Sequence, residues 1–170
     1  HELSCVRPET RMVEALPLQK EQLEGLRGAG FAAAQVAPRR GIVRGQSVVI
    51  GLGDGAPSLN VIAADASQVV ALDPEREGYP GSLMGAIAVI RQAFLDARWY
   101  GDVTRAYAKA PQGKPRPATN ESWEALQPVV TGTQPALFVA DEMLEVLRAA
   151  RIARFTSSGH GACGPERLSP

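Results

Sequence analysis

The sequence predicts an α/β domain, on three observations. Short apolar runs flanked by glycine and polar residues, Val48-Val49-Ile50 and Val69-Val70-Ala71-Leu72, read as buried strands. Leu83, Ile87, Ile90 and Phe94 recur at spacings of 4, 3 and 4, which lays them along one face of a helix. The run Pro135-Ala136-Leu137-Phe138-Val139 reads as a strand and leads at once into a helical pattern, the strand-then-helix order of a parallel sheet.

Each element follows from local chemistry. Residues 1–17 are polar and mixed, and carry no periodic signal. In residues 20–27, Leu23 and Leu26 lie three apart with charges between them, a short amphipathic helix that Gly28 and Gly30 stop. Residues 31–36 form a small-residue strand ended by Pro38. Between Gly41 and Leu72 only strands are expected, with Val61-Ile62 separate from the run at Val69. Tyr79-Pro80-Gly81-Ser82 is turn chemistry with Ser82 as N-cap of a helix reaching about Tyr107, unless Gly101 interrupts it. Residues 111–117 are a Pro-rich loop, and residues 121–126 a helix stopped before Pro128. Asp141 caps a last helix running to about Phe155, with Met143, Val146, Leu147 and Ala150 as its buried face. From Thr156 onward the sequence is small, polar and aperiodic, the texture of a loop or tail.

Composition narrows the function. The 170 residues suit one domain with a real core. With 18 Lys+Arg against 18 Asp+Glu the net charge is zero, which argues against a nucleic-acid groove. No apolar run approaches the roughly 20 residues that span a bilayer, no signal-peptide pattern is present, and the compartment is left open. With 45% hydrophobic residues and no net charge, intrinsic disorder is not expected.

The scarce residues are two His, His1 and His160, and two Cys, Cys5 and Cys163. The cysteines can form one disulfide, stay as thiols, or each supply half of a metal site. His1 with Cys5, and His160 with Cys163, have spacings that can hold one ion, and together make a Cys₂His₂ set suited to zinc. The bland reading makes His1 a tag or cleavage remnant and places His160 in a tail. With three protein ligands, an open position on the metal would activate water for hydrolysis, with Asp54, Asp141 and Glu142 as carboxylate partners. Asp141 stands out because it follows a predicted strand, where α/β proteins gather functional groups. Its alternative role is the helix cap.

Three other features have a bland and a functional reading. Gly51-Leu52-Gly53-Asp54-Gly55 reads as a plain turn or as a cradle for an anion with its N–H groups, although neither Walker nor dinucleotide spacing is matched. Arg39, Arg40 and Arg44 read as a basic cluster in a Gly-rich loop, a solvated or interface element or else a group available to a carboxylate or phosphate. Ser82 sits in G-S-x-x-G, not the G-x-S-x-G of a nucleophile elbow, and reads as a cap. Trp99, Tyr100 and Tyr107 are expected on a packed helix face or a dimer interface.

Four blocks carry a family resemblance: Val6-Arg7-Pro8-Glu9, Gly41-Ile42-Val43-Arg44-Gly45-Gln46-Ser47, Tyr79-Pro80-Gly81-Ser82-Leu83-Met84-Gly85-Ala86-Ile87, and Arg116-Pro117-Ala118-Thr119-Asn120. Over residues 5–155 the chain resembles an internal region of bacterial imidazolonepropionase-like amidohydrolases. The resemblance implies a (β/α)₈ barrel, one or two divalent metals, and hydrolysis of amide, ester or phosphotriester bonds in a small-molecule substrate. The family's His-x-His pair is absent, and no His lies between Glu2 and Gly159, so none of its ligands transfers to a position here. A full barrel needs roughly 250 residues.

The expectation is therefore a partial (β/α) barrel-derived domain over residues 1–155 and an unrelated tail over 156–170. Half a barrel has two open sheet edges, so an open α/β sheet completed by self-association is expected, most simply a two-fold homodimer. The leading function is a metal-assisted hydrolase. The alternative is a non-catalytic association module.

Overall fold

The computed structural model describes residues 3–16, 19–74 and 78–157. Its sheet has four strands in the order β1 (Ala33–Val36), β2 (Val43–Gly51), β3 (Val61–Ala71) and β4 (Ala136–Val139). The first three form an antiparallel meander, and β4 lies parallel to β3 with Gln68 opposite Ala136 and Ala71 opposite Val139. A parallel neighbour needs a long crossover, here supplied by α2 (Leu83–Lys109) and α3 (Glu121–Val130). Two further helices, α1 (Lys20–Gly28) and α4 (Met143–Ser157), complete the described architecture. Among the described residues, no helix is long and apolar enough to cross a membrane.

The separate strands expected at Val61 and Val69 are one continuous β3. Its middle, Ala63 to Ser67, is too small and polar to read as a strand alone, and pairing with β2 makes it one. A short 3₁₀ turn, Pro57–Asn60, precedes it, where only strands were expected.

The N-terminal stretch, without any local signal, is held beside β2. Ile42 N–H donates to the Cys5 carbonyl at 2.8 Å, Arg7 N–H to that of Val43 at 2.8 Å, and Gln46 N–H to that of Thr10 at 2.7 Å. The two glycines of the Gly41–Ser47 block answer to this approach. Gly41 has φ +92°, and a Cβ there would sit 2.9 Å from the Cys5 carbonyl oxygen. Gly45 has φ +113°, and a Cβ would fall 2.3 Å from that of Thr10. Both positions therefore need glycine.

The main core joins Ile42, Val43, Val70 and Leu72 of the sheet region to Ala86, Val89, Ile90, Ala93, Phe94 and Ala97 of α2, with Leu126 and Ile152 closing it. A second cluster packs Leu23 of α1 on Val48, Ile50 and Leu52. Phe94 is 1% exposed. Truncating such a side chain to alanine costs about 3–5 kcal/mol.

Helix α2 starts as its sequence predicts. The Ser82 hydroxyl oxygen accepts from Gly85 N–H at 3.2 Å. Gly101 does not interrupt the helix; it is where α3 crosses, and a Cβ there would lie 2.4 Å from Gln127 Oε1. The Gln127 amide donates to the Ala97 carbonyl at 2.7 Å, fastening the crossing.

Two helix expectations are corrected. α3 continues through Pro128 to Val130, because proline in the last turn removes only one intrahelical bond. The expected buried face of α4 is exposed: Met143 is 80%, Val146 54% and Leu147 56% accessible, and Ala150 is exposed as well. Ala149 and Ile152 are buried instead. The helix is apolar on more than one side, and its later turns dock on α2, where Arg98 donates to the Phe155 carbonyl and Arg91 lies over the Phe155 ring.

Candidate functional site

The parallel pair β3 and β4 ends at one edge of the sheet, and a carboxylate follows each strand. Asp73 and Asp141 each lie two residues beyond the last register pair, Ala71 opposite Val139. This edge is where open and closed α/β sheets place functional groups. Asp73 is held by Arg44, whose guanidinium also donates to the Gly41 carbonyl at 2.9 Å. Arg44 is thus a buried residue of β2 and not part of a loop cluster, while Arg39 and Arg40 are exposed in the loop before it. Asp73 carries no motif of its own in the sequence; the apolar run before it is the available signal.

Asp141 is exposed and lies before α4. The capping carboxylate of that helix belongs to Glu145, whose Oε2 accepts from Asp141 N–H at 2.9 Å and from Glu142 N–H at 3.4 Å. The Asp141 cap assignment is therefore corrected. A solvent-facing carboxylate of this kind can bind a cation or take a proton from water.

The glycine-rich turn after β2 has the polarity opposite to an anion cradle. Arg27 of α1 donates to the carbonyls of Leu52 at 3.3 Å and Gly53 at 3.1 Å, and to the Asp54 carboxylate at 2.9 Å. Asn60 adds donors to the carbonyls of Gly53 and Asp54. The turn presents oxygens to a resident guanidinium, and Asp54 is committed to that ion pair rather than placed beside Asp141.

Of the soft-ligand set, Cys5 is buried in the main core at 1% exposure. His1, His160 and Cys163 lie outside the described residues. Among the described residues, no three His, Cys, Asp or Glu side chains are grouped to hold a metal ion. Ser82 is a helix cap, as its spacing indicated. Tyr100 is buried, and its hydroxyl donates to Glu124 Oε1 at 2.8 Å. That bond to a carboxylate, reinforced by burial, raises the phenol above its ordinary value. Trp123 packs on Tyr100 and edge-on against Trp99, with centroids 5.6 and 6.2 Å away.

The four sequence blocks behind the family resemblance share one corner of the fold. Val6 and Pro8, Tyr79, and Asn120 come from three of them and line a cavity of about 340 Å³ together with α2. The Gly41–Ser47 block holds the Val6 segment in place from behind. Ser122, also on the wall, donates to Glu9 at 2.8 Å. No local sequence signal joins residues so far apart.

No protein-family model matches the chain, and no curated protein matches it. Among solved structures it is similar to an amidohydrolase from Thermotoga maritima MSB8, with a TM-score of 0.78 and 23% identity over 90% of this chain and 42% of that one. The chain thus spans less than half the length of that structure. In fold it is a partial barrel-derived α/β domain with a curled four-stranded half-barrel sheet, like part of an amidohydrolase.

Proposed function

We propose that this chain is part of a hydrolase of the imidazolonepropionase-like amidohydrolase kind, acting on an amide, ester or phosphotriester bond of a small molecule. The observation that carries the reading is the pair Asp73 and Asp141 at the shared end of β3 and β4, in a fold similar to that of an amidohydrolase over 90% of its length. Barrel enzymes place their chemistry at this end. Asp141, exposed and held at its backbone by Glu145, is the base that takes the proton from attacking water. Asp73, balanced by Arg44, keeps the neighbouring negative charge paired. Zinc, when bound, would be held by His1, Cys5, His160 and Cys163 and would supply activated water. The described residues do not themselves assemble three donors.

The test assays purified protein on nitrophenyl esters, anilides and phosphotriesters, with its zinc content measured alongside. Expected are turnover that falls about 10²-fold or more in Asp141→Asn and zinc that is lost in His160→Ala. No turnover on any of the three substrate classes overturns the hydrolase reading.

The second reading, an association module, is favoured by the exposed apolar face of α4 beside β4, the edge strand among the described residues. Exposed apolar surface of this kind marks interaction sites, and the occupant we propose is a second copy of the chain.

A further inference from the structure

We infer that the cavity between the N-terminal segment, α2 and the start of α3 is a binding site for a small organic ammonium with an apolar body. The inference does not rest on the hydrolase reading, and its test reads no activity. The cavity of about 340 Å³ is at the lower end of the ligand-pocket range. Its walls are mainly apolar, with Val6, Pro8, Val89, Ala93 and Leu126 below and the Trp123 ring at the side.

The polar lining selects the charge. Among the described residues, Asp96 is the one carboxylate on the wall, and no Lys, Arg or His lines it. Arg7, between Val6 and Pro8, is exposed and is not part of the lining. Two neutral groups on the wall are engaged within the protein: Asn120 Oδ1 accepts from Trp123 N–H at 3.0 Å, and the Ser122 hydroxyl donates to Glu9 at 2.8 Å. Gln92 donates its amide to Asp96 Oδ1 at 2.7 Å, which orients the carboxylate and leaves Oδ2 for a ligand. Glu9, which accepts from Ser122, adds a second negative charge behind the wall. An anionic ligand would meet the Asp96 carboxylate with no counter-charge among the described lining residues. An ammonium would meet a carboxylate and an aromatic ring together, the pairing that recognises organic cations.

Phenethylamine and phenylacetate, similar in size and opposite in charge, are the probes, titrated calorimetrically into the purified chain. Saturable binding of phenethylamine is expected, at least about tenfold tighter than that of phenylacetate. Asp96→Asn, which keeps the shape and the Gln92 contact, should weaken phenethylamine about tenfold or more. Ala88→Phe changes an exposed lining residue at the mouth and should abolish binding while the thermal midpoint is retained. No saturable binding, equal binding of the two probes, or binding that neither substitution alters overturns the assignment.

Discussion

At Gly45 a single hydrogen atom in place of a side chain allows the N-terminal segment to approach β2. With φ at +113° and the Thr10 carbonyl 2.3 Å from where a Cβ would be, Gly45→Ala should lower stability by at least about 2 kcal/mol. Urea unfolding measures this, and an unchanged midpoint would show that the segment does not sit against β2. Tyr100 makes a different prediction. Its phenol is raised by the bond to Glu124, so the bond contributes stability while the phenol is protonated, at pH below about 10. That contribution is lost as pH rises through the elevated folded value. Tyr100→Phe should therefore be less stable than the parent at pH 8, with the gap narrowing above about pH 10. Melting curves across this range check it, and a constant gap counts against the Glu124 bond.

Among the elements, those set by neighbours in sequence were legible. The Ser82 cap, the four-three-four apolar spacing of α2 and the glycine stop after α1 each depend on a few adjacent residues. Ser82→Ala should destabilise by about 1 kcal/mol, whereas Ser82→Asp should retain the cap; thermal melting distinguishes them. What was not legible depends on distant partners. The middle of β3 becomes strand by pairing with β2, and the N-terminal segment is placed by single bridges from Val6 to Val43 and from Arg11 to Gln46. The buried face of α4 could not be chosen from the sequence, because its apolar residues ring more than one side and docking on α2 decides. The same holds at the candidate sites. Asp141 was visible after its strand, but the cavity joins Val6, Tyr79, Asp96 and Asn120, which no window of sequence contains together.

For the molecule as a whole, the curled sheet has β1 and β4 at its edges, and exposed strand edges invite pairing. Beside β4, Met143, Val146 and Leu147 are all more than half exposed. A dimer through this surface should be seen by light scattering at micromolar concentration, and Leu147→Glu should convert it to monomer with little change in melting temperature. A monomeric parent protein would remove the association reading. The dimer and the ammonium site are on different surfaces, so each can fail without the other.

The contact between Glu9 and Ser122 also has a consequence in time. The two residues are 113 positions apart, so on a ribosome adding about 5–20 residues per second Glu9 waits on the order of 5–25 s for its partner. Throughout that interval Leu3, Val6 and Pro8 have no α3 to cover them. The corner that brings the sequence blocks together is thus among the last parts of the domain to close during synthesis, and the one most open to a chaperone while it waits.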